Sequence, residues 1–338
     1  MARYLGDINA RARGLRTHLL AASELERLAS ASSLMTLQRE LSALGLVRSE
    51  APATPASLEL AIRRYAAGQM AVLERWCGGA RRATLAVIFE DEDRRSIQSI
   101  IRGAAQGTAS DVRMGGLVPT GTLGEGALRT LSIQPTPADV VRVLVLWGHP
   151  FGAPLVGAVN QPNPSLFEIE VGLARTFARR ASAHAREGGR QLVEYVQQVV
   201  DVLNAWSALL HFAESDPLIV DLTFIEGGRW LSRDLYVELM GFDSLRDVSN
   251  RLAWELRKTA LASAFRGETQ DLSELESAVL GAQIAWQKRS VRIDPSGAAP
   301  VIGFAIELRT ETLNLRRIIW GVALRAPAAL IQAEMVVE

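Results

Sequence analysis

Cysteine is almost absent from this chain. Cys77 is its one thiol, so neither an internal disulfide nor a thiolate metal cluster can form, which fits a reducing cytoplasm. Lysine is nearly missing as well: Lys258 and Lys288 are the only two, and little room is left for lysine-based chemistry. No sign of charge dominates, since Lys+Arg and Asp+Glu stand at 37 each. That balance favours neither nucleic acid nor an anionic membrane surface. The greasiest stretch, "VVRVLVLWG", is far short of the roughly 20 residues that span a bilayer. The opening "MARYLGDINARARGLRTHLL" has no apolar core of signal-peptide length. If the protein works at a membrane, something else must hold it there.

The chemistry-bearing motifs are also missing. His18, His149, His184 and His211 include no H-E-x-x-H pair or other ligand spacing, which makes surface or packing roles the expectation. "WGHPFG" around His149 reads as a turn between helices. Cys77, just before Gly78-Gly79, reads as a buried thiol or helix-end residue. There is no G-x-x-x-x-G-K-[ST], so no P-loop nucleotide site is expected. "GGLVPTGTLGEG" lacks the spacing of a dinucleotide loop. The run "EDEDRR" reads as a solvated helix face, apart from Asp93 at its end. No catalytic residue, cofactor or metal site is expected.

What the chain does have is length and helical rhythm. Its 338 residues, 48% hydrophobic and 22% charged, suit a soluble globular protein of two or three domains. "SLELAIRRYAAGQMAVLERW", "RQLVEYVQQVVDVLNAWSALLHFA" and "SELESAVLGAQIAWQKR" place apolar residues at i, i+3/i+4, i+7. Strand-like alternation is scarce; "PLIVDLTFI" reads equally as a short strand or an extended linker. The class is all-α.

One helical motif recurs. "DRRSIQSII" begins at Asp93, "DVLNAWSALL" at Asp201 and "ETLNLRRII" at Glu311, 108 and 110 residues apart. Each has an acid, then Ser or Asn three residues on, then an aliphatic pair. Independent anchors step with it: Leu28, Leu131 and Leu239; Glu59, Glu170 and Glu276; Gly121 and Gly228. Several anchors moving together predict three copies of one helical unit of about 110 residues. The expected domains are 1–112, 113–219 and 220–338.

The N-terminal "YLGDINARARGLRTHLL" resembles the Tyr-Leu-Asn-Ala-Arg-Val-Arg opening of the C subunits of V/A-type ATPases (ATP synthases), counterparts of the d subunit in the eukaryotic vacuolar enzyme. "DRRSIQSIIRGAAQG" resembles that family's Asp-x-x-Asn-Leu-x-x-Ile-Leu-Arg helix, with Ser96 in place of the Asn. "VDVLNAWSALL…FIEGGRWLSRDLYVELM" resembles its second copy, with Ala205-Trp206 for the usual Leu-Arg/Lys. "IELRTETLNLRRIIWGVALRAPAALIQAEMVV" resembles its closing helix and tail. The resemblance runs in order along the whole chain. It implies three similar helical domains in a pseudo-threefold funnel, and a non-enzymatic rotor component with no cofactor. Such a socket couples the central shaft to the membrane ion-carrying ring for proton or sodium transport, on the cytoplasmic face and without a membrane span of its own. The isolated chain would be monomeric. The alternative is an all-helical scaffold that reuses the fold to bind other cytosolic proteins.

The acid of each motif heads an apolar stripe. At about 100° per residue, Asn314, Leu315, Ile318 and Val322 all fall within roughly 60° of Glu311. Asp93 similarly heads Ile97, Ile100 and Ala104, and Asp201 heads Ala205, Ala208 and Phe212. A buried, unpaired carboxylate costs several kcal/mol. A carboxylate placed against backbone N–H groups at the start of another element is compensated, and the neighbouring amide can satisfy a loop carbonyl. Asp93, Ser96, Asp201, Asn204, Glu311 and Asn314 therefore read as structural latches, with contact to the stalk as the competing reading. Arg229 on the "EGGRW" loop, with Arg316 and Arg317, are the candidate interface residues, since arginine pairs well with carboxylates across an interface.

Overall fold

The computed structural model describes residues 5–48, 52–77, 80–210, 223–266 and 272–336. Among the described residues every regular element is helical, as the all-α reading expects. His211, most of "PLIVDLTFI" and the domain boundary expected near 219 lie outside the described residues.

The helices come in a repeated order. After α1 (Gly6–Arg16), two short helices precede two long ones: α2 (Ala22–Ala29), α3 (Leu34–Ala43), α4 (Pro55–Trp76) and α5 (Ala80–Ala105). The single turn α6 (Ser110–Arg113) leads to α7 (Glu125–Ser132), α8 (Pro137–Leu146), an added α9 (Gly152–Val159), α10 (Leu166–Gly188) and α11 (Arg190–Leu210). The third set is α12 (Arg233–Met240), α13 (Leu245–Glu255), α14 (Leu272–Ile293) and α15 (Ala299–Ala323), with α16 (Ala328–Glu334) closing the chain.

Local chemistry sets these boundaries the same way each time. Ser33, Thr136 and Ser244 cap the second short helix of each set. Each hydroxyl oxygen accepts the backbone N–H three residues on, at 3.2 Å. These caps step by 103 and 108 residues, as Leu28, Leu131 and Leu239 do. Gly45 and Gly148, at φ 75° and 64°, turn the chain out of α3 and α8. The following N–H then returns to the helix, Leu46 to the Leu41 carbonyl and His149 to that of Leu144, at 3.0 and 2.9 Å.

The chain divides into two compact units. The terminal unit joins Leu5–Cys77, Gly115–Gly121 and Glu276–Glu338. Its core forms where α15 packs on α1 through α4, bringing Leu315, Ile318, Ile319 and Val322 against Leu28, Leu37, Leu41, Leu58 and Ile62. Burying each such side chain stabilises by about 1.5–3 kcal/mol. Cys77 ends α4, buried, its thiol donating to the Leu73 carbonyl. The central unit is built from Gly78–Met114 and Thr122–Leu275. In it α5 packs on α7, α8 and α10, and α11 packs on α10, α12 and α13. Ile97, Ile100, Leu128, Leu131, Leu144, Phe177 and Val200 are among its buried side chains.

One rule covers the long closing helices. Each packs on the short helices of the following set: α5 on α7 and α8, α11 on α12 and α13, α15 on α2 and α3.

Candidate functional site

The motif acids sit on those closing helices, and all three are buried. Asp201 on α11 faces the peptide that leads into α12. Its carboxylate accepts the backbone N–H groups of Arg229, Trp230 and Leu231 at 3.0–3.2 Å. Gly228 permits this approach, because a Cβ there would run into Asp201 Oδ1. Asn204, one turn on, clamps a single residue reciprocally: it donates to the Ile225 carbonyl and accepts the Ile225 N–H, both at 2.8 Å. Burial pushes the Asp201 carboxyl up to about 6, against the pull of its three N–H donors and Arg229.

Glu311 on α15 makes the corresponding approach with fewer partners. Its Oε1 accepts the Leu20 N–H at 2.6 Å, just before α2. Its Oε2 is buried without a hydrogen bond and borders a pocket of about 340 Å³ shared with Arg16, Lys288 and Glu307. Burial, with the nearby Glu24 charge, raises this carboxyl to about 7 despite the Leu20 N–H. Burial and then Glu311 itself push the Tyr65 hydroxyl above its ordinary range. Asn314 repeats the reciprocal clamp, donating to the Val336 carbonyl and accepting the Val336 N–H at 2.9 Å each.

Asp93 on α5 accepts the Thr122 hydroxyl ahead of α7, and Ser96 is buried beside it. The imidazole of His149 also reaches this carboxylate, with Nε2 3.7 Å from Asp93 Oδ2. Its Nδ1 accepts the Phe151 N–H at 3.4 Å, and its Nε2 is buried without a hydrogen bond. "WGHPFG" is a turn between helices, as expected, but nothing in its sequence marks His149 as a partner of Asp93.

The reading of "EDEDRR" as a solvated face is corrected. Asp91, Glu92 and Arg94 are buried with Asp93, because α5 is packed by α7 and α8 as well as by α10. Asp91 is compensated within the helix: Arg94 binds its Oδ1 through Nε and Nη2, and the Tyr195 hydroxyl donates to its Oδ2 at 3.0 Å. Pairing within one helix turn lets Asp91 enter the interior together with its counter-charge.

The glutamate anchors make a second contact with the closing helices. Glu59 on α4 pairs with Arg316 at 3.0 Å and accepts the Trp320 indole N–H at 2.9 Å. Glu170 on α10 accepts the Gln98 amide at 2.8 Å and pairs with Arg102. The partners stand five and nine residues after the motif acid in both cases. At those places after Asp201 stand Trp206 and Leu210; the side chain of Glu276 lies outside the described residues. Arg317 donates to the Glu334 carbonyl and to Ser277 Oγ. Of the three candidate interface residues, Arg229 is the exposed one; its guanidinium lies over the Trp230 ring and 3.9 Å from Glu194. Among the described residues no group of three or more His, Cys, Asp or Glu side chains could hold a metal ion.

Residues 8–334 match the ATP synthase (C/AC39) subunit family. The chain is 25% identical over 294 residues to the C subunit of the A-type ATP synthase of Haloquadratum walsbyi, covering 84% of this chain and 82% of that protein. It is also 25% identical over 205 residues to the C subunit of the V-type ATP synthase of Deinococcus radiodurans, covering 59% of this chain and 58% of that one.

Proposed function

The chain belongs to the ATP synthase (C/AC39) subunit family, and on that premise we propose that it is the socket between the central shaft and the membrane ion-carrying ring of a rotary V/A-type ATPase or ATP synthase. As one component of such a complex it has no active site of its own; its partners are the shaft subunits and the ring. The observation that carries this reading is the match in order along nearly the whole chain, which includes all three motif helices. The repeated order of short and long helices is in keeping with three similar helical domains. Among the described residues no helix is long and apolar enough to cross a membrane, so attachment at the cytoplasmic face would run through partners.

In this reading the motif residues are latches. A socket that transmits torque has to keep its helices in register, and each closing helix is pinned by buried polar groups to the start of the next set. An apolar contact alone has no directional preference and would permit slippage. Affinity purification of the tagged chain from membranes tests the assignment. The expected result is co-elution of the motor's shaft and ring subunits; a chain that elutes without them is not the socket.

A further inference from the structure

The central unit carries an open groove of about 850 Å³ between α10 and the loop that leads into α12. Four arginines line it, Arg175, Arg179, Arg186 and Arg233, against a single carboxylate, Glu226. In a chain whose net charge is zero, this is a local concentration of one sign. Arg175, Arg179, Ser182 and Arg186 recur at i, i+4, i+7 and i+11 along one face of α10, a run of about 16 Å. Arg179 and Arg186 are exposed and make no ion pair among the described residues. The helix dipole accounts for Arg186 in the last turn of α10. It does not account for Arg179 in mid-helix. The groove wall is apolar where Ala178, Phe224 and Ile225 face it, which suits a side-chain-bearing partner better than a flat lipid surface.

We propose that this groove docks an acidic helical segment of a partner protein, with Asp or Glu side chains at helical spacing answering Arg179 and Arg186, while Arg175 is held on the Phe224 carbonyl at the groove wall. A helix matches the period of the row, and arginine pairs with carboxylates in two-pronged geometry. The partner's identity as part of the shaft rests on the socket reading, while the charge and period of the groove do not.

The test uses the full chain in its complex. Cys77 is buried, so Ser182→Cys can carry a benzophenone-maleimide selectively inside the groove. On illumination of the assembled complex, the crosslink should fall on an acidic helical peptide of the shaft. Crosslinks confined to lipid, or to residues 211–222 of this chain, which include Glu214, Asp216 and Asp221, would overturn the proposal. In parallel, Arg179→Glu with Arg186→Gln should keep a cooperative melting transition, lowered slightly by the loss of the cation at the end of α10, and weaken binding to the purified shaft about tenfold or more at low salt. Wild-type chain that fails to bind the shaft refutes the socket; shaft binding equal in wild type and the double variant refutes the groove alone.

Discussion

Between pH 4.5 and about 7 the folded chain keeps a proton on Glu311 that the unfolded chain has released. Stability therefore falls as pH rises through that window and levels above it, by about 3 kcal/mol if the whole shift is expressed. Asp201 acts in the same direction between 3.8 and about 6. Glu311→Gln keeps an acceptor for the Leu20 N–H and cannot ionise. It should match wild type below pH 4.5 and exceed it above pH 7 by on the order of 2–3 kcal/mol. Denaturant unfolding across that range measures the difference, and parallel curves would show that the carboxyl is not held up by burial. That these acids head apolar stripes was legible from the helical period alone. Their partners were not, because Leu20 lies 291 residues from Glu311, and Arg229, Trp230 and Leu231 lie 28 to 30 from Asp201. Periodicity reports which face a residue occupies and carries nothing about which loop arrives there. His149 was missed for the same reason, and the buried acids of α5 because helix-internal ion pairs look like a wet face until a third and fourth helix cover them.

At the level of elements, the joints between closing helices and short helices differ in strength. The α11 joint fixes three backbone N–H groups on Asp201, whereas the α15 joint fixes one on Glu311. Each buried donor left unsatisfied costs roughly 1–3 kcal/mol. Glu311→Ala should thus cost roughly 1–3 kcal/mol at pH 5, and Asp201→Ala more. Hydrogen exchange separates the two locally: protection of the Leu20 amide should drop in the first variant, and of Arg229 through Leu231 in the second. Unchanged exchange together with lost shaft binding would move these residues from latch to interface. A repeated helical unit could be read from the sequence, since Leu28, Leu131 and Leu239 step by 103 and 108 residues alongside the motif acids. The handing-on of each closing helix to the next set could not. A repeat read along the chain looks the same whether a helix packs within its own copy or on its neighbour, and only the contacts decide.

For the whole molecule the proposed role is mechanical: as the socket, the chain would pass torque between shaft and ring. Coupling and catalysis then separate on its removal. On that proposal the catalytic head would retain its nucleotide sites, while the ring would lose its connection to rotation. Membranes prepared with and without this chain, energised with ATP and followed for ion uptake alongside ATP hydrolysis, measure that separation. The account predicts that hydrolysis by the head persists while ATP-driven ion uptake falls to background, and that adding back the purified chain restores uptake. Ion uptake at the normal rate in membranes lacking the chain would contradict it.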